Sequence, residues 1–117
     1  MQIKFLNLYH NFEGSDSSKA RAQDSLLYMW QRSIQLGHIK FIPKAKVEFK
    51  DYSFFDYPDQ EKAKREISNA YGKRRKKNNT DIIEYWWAGE QYPDLDTLYE
   101  ALAEQKRFME LIITVED

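Results

Sequence analysis

The chain has no cysteine, two histidines, four glycines and three prolines in 117 residues. Without cysteine it has no disulfide, no thiol nucleophile and no thiolate metal site, which fits a reducing compartment. Its histidines, His10 and His38, do not stand at the i, i+4 spacing of a metal pair. The glycines at 14, 37, 72 and 89 build no phosphate-cradling loop, and no Gly-x-Ser-x-Gly elbow is present. No apolar run approaches the roughly 18 residues of a membrane span. The opening Met1-Gln2-Ile3-Lys4-Phe5-Leu6 lacks the basic-then-apolar form of a signal peptide. These absences predict a soluble, cytoplasmic protein without membrane contact, cofactor, metal or catalytic residues, and so no enzyme. Acid pairs such as Asp94/Asp96 and Glu110/Glu116 carry little weight among 19 carboxylates.

Net charge is almost absent too, at −1, yet the charge is sorted. Residues 1–79 hold 16 Lys/Arg against 9 Asp/Glu, and residues 80–117 hold 2 against 10. A field divided in this way steers oppositely charged partners without specifying any chemistry. Apolar residues make up 42 % and aromatics 15 %, a composition that folds, and the length suits one globular domain over 1–117.

Periodicity predicts the elements. Ile3, Phe5, Leu6 and Leu8 mark a strand over 2–9. The Glu13 to Ser18 stretch supplies helix-capping oxygens, and Ala22, Leu26, Trp30 and Ile34 form a helical stripe over 17–36 that ends at Gly37. This places Trp30 in the core. Ala45, Val47 and Phe49 alternate with charges as a strand with one wet face. The aromatic stretch from Phe49 to Tyr57 reads as a loop. A surface helix over 59–76, with Ala63, Ile67, Ala70 and Tyr71 inward, carries Lys73-Arg74-Arg75-Lys76-Lys77 at its end, where the helix dipole favours cations. Residues 81–87 form a strand with Ile82, Glu84 and Trp86 on one face and Ile83, Tyr85 and Trp87 on the other. Asp94 caps a helix on Leu95, Leu98, Tyr99 and Leu102, and 111–115 form a last strand. The order βαβαβαβ gives an α/β class, a sheet with helices packed on it and largely parallel strands; the alternative is α+β with helices on one face.

Three surfaces are candidate sites. The first is acidic and aromatic, with Tyr85, Trp86 and Trp87 as anchors and Glu84, Glu90, Asp94 and Asp96 as a rim suited to a basic protein. A second is the aromatic group Tyr52, Phe54, Phe55 and Tyr57. The third is the basic run Lys73, Arg74, Arg75, Lys76 and Lys77, joined by Lys40, Lys44, Lys46 and Lys50, which suits nucleic-acid phosphates.

Phe5-Leu6-Asn7-Leu8-Tyr9-His10, then Lys19-Ala20-Arg21-Ala22-Gln23 and Trp30, resemble the opening of glycosyltransferase-like proteins. Tyr57-Pro58 to Ala70 and Asp81-Ile82-Ile83 fall where that pattern has its next helix and strand. The resemblance covers some two-thirds of the chain and implies an α/β layer. The family's Asp-x-Asp metal and sugar-nucleotide site is replaced here by Glu84-Tyr85-Trp86-Trp87-Ala88-Gly89, so it implies at most a degenerate sugar-nucleotide enzyme. The expected function is instead a small protein-binding inhibitor of a nucleic-acid-acting partner. Toxin immunity proteins and phage-encoded blockers of host defence are analogies for that design. A nucleic-acid-binding accessory protein is the alternative.

Overall fold

The computed structural model describes residues 1–10, 16–41 and 43–115. The expected capping residues Glu13 to Ser15, and Glu116, lie outside the described residues. The elements are β1 (Gln2–His10), α1 (Asp16–Gln35), β2 (Lys46–Tyr52), α2 (Gln60–Tyr71), β3 (Gly72–Lys77), β4 (Thr80–Trp87), β5 (Glu90–Tyr92), α3 (Leu95–Ala103) and β6 (Lys106–Thr114). Two antiparallel sheets of three strands each, with three helices packed on them, make a mixed α/β protein. Among the described residues, no helix is long and apolar enough to cross a membrane. The chain divides into two compact units: Met1–Ser53 with Lys106–Asp117, and Phe54–Gln105.

The first unit has strand order β1-β6-β2, with both outer strands antiparallel to β6. The expected parallel pairing therefore does not occur. The α1 crossover does leave β1 and β2 pointing the same way, but β6 inserts between them. That central position explains why β6 is buried from Phe108 to Ile113, including the carboxylate-bearing Glu110. Met109, Leu111 and Ile113 share one face by alternation, and Ala22, Leu26 and Tyr9 join them in the core. Trp30 only packs against this core and is half-buried, which corrects its expected place inside it. Leu26 is the stripe residue with no exposure. Helix α1 closes on Gly37 at φ 76°, where Gly37 N donates to Ile34 O and His38 N to Ser33 O, the paired bonds of a Schellman cap.

In the second unit the order is β3-β4-β5. Two tight turns dictate it. Asn78 and Asn79 both have positive φ, as do Ala88 and Gly89, the backbone that two-residue hairpins require. The helix expected to reach residue 76 stops at Tyr71, because Gly72 turns extended at φ −79°, ψ 139° and leads into β3. A Cβ on Gly72 would stand 2.5 Å from Ser68 O, so the chain leaves α2 at a point where only glycine fits. Asp59 caps α2 by accepting from Lys62 N, and Ala63, Ile67, Leu98, Tyr99 and Leu102 supply the buried helix positions.

Candidate functional site

The basic run occupies β3 and not a helix end, so the helix dipole gives no account of its cations. β3 pairs on one side only, with β4, and is an edge of its sheet. Side chains alternate along it: Lys73, Arg75 and Lys77 share a face with Ile82, Glu84, Trp86 and Gln91, while Arg74 and Lys76 lie on the face of Asp81, Ile83, Tyr85 and Trp87. All five cations are exposed. Arg75 is the one with an ion pair among the described residues, from its Nε to Glu84. Gln91 Nε2 donates to the other oxygen of Glu84 at 3.0 Å. Arg75, Glu84 and Gln91 thus form a chain of contacts across β3, β4 and β5. The guanidinium is held through Nε, which leaves its two terminal nitrogens available as a fork.

Beside this chain lies a cleft of about 520 Å³. Arg75, Lys76 and Lys77 provide its cationic wall, and Ile82, Ile83, Tyr92 and Pro93 its apolar surface. β5 pairs with β4 only over Tyr85 to Trp87, so the earlier part of β4 has a neighbour on the β3 side alone, and the cleft opens there.

Most of the acidic rim is engaged within the protein. Asp94 is the N-cap of α3, accepting from Thr97 N at 2.8 Å and Thr97 Oγ1 at 2.7 Å. Those two hydrogen bonds hold its carboxyl below the ordinary value. Asp96 pairs with Lys64 at 2.9 Å, Glu84 pairs with Arg75, and Glu90 is exposed on β5. Tyr85, Trp86 and Trp87, the expected anchors, are each half-buried. The Tyr85 hydroxyl lies 3.4 Å from Ser68 of α2, and the Trp87 ring lies 6.4 Å from that of Tyr92. Trp86 Nε1 is shielded from solvent and has no acceptor among the described residues.

The aromatic group also separates. Tyr52 ends β2 and is half-buried, while Phe54 and Tyr57 are buried. Gln60 Nε2 donates to the carbonyls of both Phe54 and Tyr57, and Tyr99 Oη donates to Phe54 O at 2.6 Å. Burial pushes the Tyr99 hydroxyl up to about 12. Only Phe55 is open, at 60 % exposure, edge-on to Tyr99 at 5.7 Å. Phe55, Asp96, Tyr99 and Glu100 line a smaller cleft of about 230 Å³. In the first unit, Lys40, Lys44, Lys46 and Lys50 are exposed.

Sequence reasoning passed over Gln91, Tyr92 and Pro93. Their signal was the Ala88-Gly89 turn, which folds the chain back along β4. Also unforeseen was a polar cluster in the first unit, where Asp51 receives Tyr9 Oη at 2.6 Å, Arg107 Nε at 3.0 Å and Lys19 Nζ at 3.2 Å. No group of three or more His, Asp or Glu among the described residues is arranged to hold a metal ion. No family model, curated protein or solved structure matches this chain.

Proposed function

We propose that this is a binding protein whose second unit holds a polyanion of the nucleic-acid class along β3. The observation that supports the reading is the exposure of five consecutive cations on one edge strand, four of them without an ion pair among the described residues. Charge on an edge also discourages strand-to-strand aggregation, but one or two lysines suffice for that. Five side chains at this density neutralise several phosphates and release their counter-ions. The test is fluorescence anisotropy of a labelled oligonucleotide across a salt series. The variant K73Q/R74Q/K76Q/K77Q leaves the Arg75–Glu84 pair intact. Its salt slope should fall by roughly 0.7–0.9 for each phosphate that the variant no longer neutralises. A slope and affinity equal to the parent's would place the binding elsewhere and defeat the reading.

A second reading, an inhibitor that occupies a basic protein, is favoured by Phe55. An exposed ring seated on Tyr99, with Glu100 and the Lys64-paired Asp96 beside it, has the make-up of an interface anchor with a charged rim. Phe55→Ala should then speed dissociation from a captured basic partner about ten-fold or more, and an unchanged off-rate would remove this reading.

A further inference from the structure

We infer that the open half of the β4 edge takes an extended peptide segment of a partner protein, one in which acidic and apolar residues alternate, as an added strand. The inference goes beyond the polyanion reading and does not rest on it.

Strand register carries the first step. Antiparallel neighbours alternate between hydrogen-bonded and non-bonded pairs, and a two-residue turn closes on a bonded one. Asn78-Asn79 lies between Lys77 and Thr80, so Lys77↔Thr80, Arg75↔Ile82 and Lys73↔Glu84 are the bonded pairs of β3 and β4. The backbone N–H and C=O of Asp81 and of Ile83 therefore point away from β3. On that side β5 reaches only from Trp87 back to Tyr85, and Pro93, which has no N–H, follows its last residue. Among the described residues, no strand pairs with Asp81 to Ile83 on that side. The cleft of about 520 Å³ opens along this edge.

The lining identifies the occupant. It draws on both faces of the sheet, with Arg75, Lys77 and Ile82 on one and Lys76, Ile83 and Tyr92 on the other. An occupant that meets both faces lies in the plane of the sheet, in line with β5. An added strand has that position, and its backbone returns an acceptor for each N–H and a donor for each C=O. A phosphodiester has no donor to return. The side chains of a strand alternate, so acids would meet Arg75 and Lys77 while apolar groups cover Ile83 and Tyr92. Of the nearby carboxylates, Glu84 is engaged by Arg75 and Gln91, and Asp81 stands across from Lys76 on the Ile83 face, away from the acids of the peptide. Pairing of two copies at this edge would set the cations of each against those of the other.

The experiment measures anisotropy of a short labelled peptide of alternating Glu and Val, and of one with the same composition but Glu and Val in separate blocks. Amide hydrogen exchange of the parent is followed by NMR alongside. The alternating peptide should bind about ten-fold tighter than the block peptide, the effect of one or two added hydrogen bonds. At saturation the Asp81 and Ile83 amides should exchange about ten-fold more slowly than in the free protein, whereas those of Ile82 and Glu84, bonded to β3, are slow throughout. Asp81→Pro and Ile83→Pro each remove an outward N–H without breaking a bond to β3. Each should weaken the alternating peptide about ten-fold and leave oligonucleotide binding unchanged. If a proline variant does not fold, exchange in the parent decides alone. No preference for the alternating peptide, or Asp81 and Ile83 amides that stay unprotected in its presence, overturns the inference and leaves the polyanion reading standing. Protection of those amides in the free protein that grows with its concentration assigns the edge to a second copy, and also overturns it.

Discussion

Tyr9 on β1 and Asp51 on β2 meet at 2.6 Å although their strands never pair with one another. β6 lies between them, so the two residues are separated by about two strand spacings, roughly 10 Å, which a tyrosine side chain and a carboxylate together can bridge. Arg107 of β6 and Lys19 of α1 complete the arrangement, and one carboxylate ties together all four elements of the first unit. Burial alone would raise the Asp51 carboxyl, but hydrogen bonds from Tyr9, Arg107 and Lys19 outweigh it and hold the group below the ordinary value.

Asp51→Asn should destabilise the protein by about 2 kcal/mol in urea titration, the usual cost of losing hydrogen bonds to a charged group. The pH dependence has two limbs. Asp51 has a depressed folded pKa, so its contribution is present above the unfolded value and fades as pH falls through the folded one. Burial first, and then the bond to Asp51, raise the Tyr9 hydroxyl to about 12, so that contribution is complete below 10.0 and is lost as pH rises towards about 12. The Asn variant should lack the acid limb, and a parent-like acid limb would assign it to other carboxylates.

Gly72→Ala should cost about 2 kcal/mol, as overpacking does. The added carbon meets the Ser68 carbonyl at 2.5 Å and Ile83 Cγ2 at 3.0 Å, and the first of these is backbone that cannot swing aside. Thermal melting of the single variant decides it. A midpoint equal to the parent's would show that α2 and β3 can part at this corner without loss.

Ala88→Gly should act in the opposite direction. Ala88 holds φ 53° in the β4–β5 turn, a left-handed conformation that costs a non-glycine residue about 1 kcal/mol. Relief of that strain exceeds the added freedom of the unfolded glycine, so the midpoint should rise slightly. A fall would mean that the alanine methyl is packed, contrary to its exposed position.

Leu26→Ala should be more damaging than Trp30→Ala, in spite of the larger ring. Leu26 is fully enclosed and its truncation leaves a cavity costing about 2–5 kcal/mol. Trp30 keeps part of its surface in water and loses correspondingly less. The reverse order in denaturant unfolding would return Trp30 to the centre of the core.

The α1 stripe, the strand at 81–87 with its two faces, the Asp94 cap and the Gly37 stop were legible in the sequence because each rests on a local pattern. The direction of pairing was not, since element order cannot reveal that the last strand enters between the first two. β3 was hidden for a different reason: Lys and Arg are good helix formers, and nothing within Lys73 to Lys77 opposes a helix. The steric fit at Gly72 and the Asn78-Asn79 turn decide that segment, and only the turn was visible. Which acidic residues would be engaged by Lys64 or Arg75 depended on neighbours that only the fold brings together.

The central place of β6 has a consequence for biosynthesis. Every backbone bond that joins β1 or β2 to its sheet runs through residues 106–114. The unit Phe54–Gln105, by contrast, is continuous in sequence and closes without that strand. The part translated first is therefore the last to be secured, and its two strands wait as unpaired edges while the later part folds. Released chains that end before residue 106 should show this as protease-sensitive early residues beside a protected later segment.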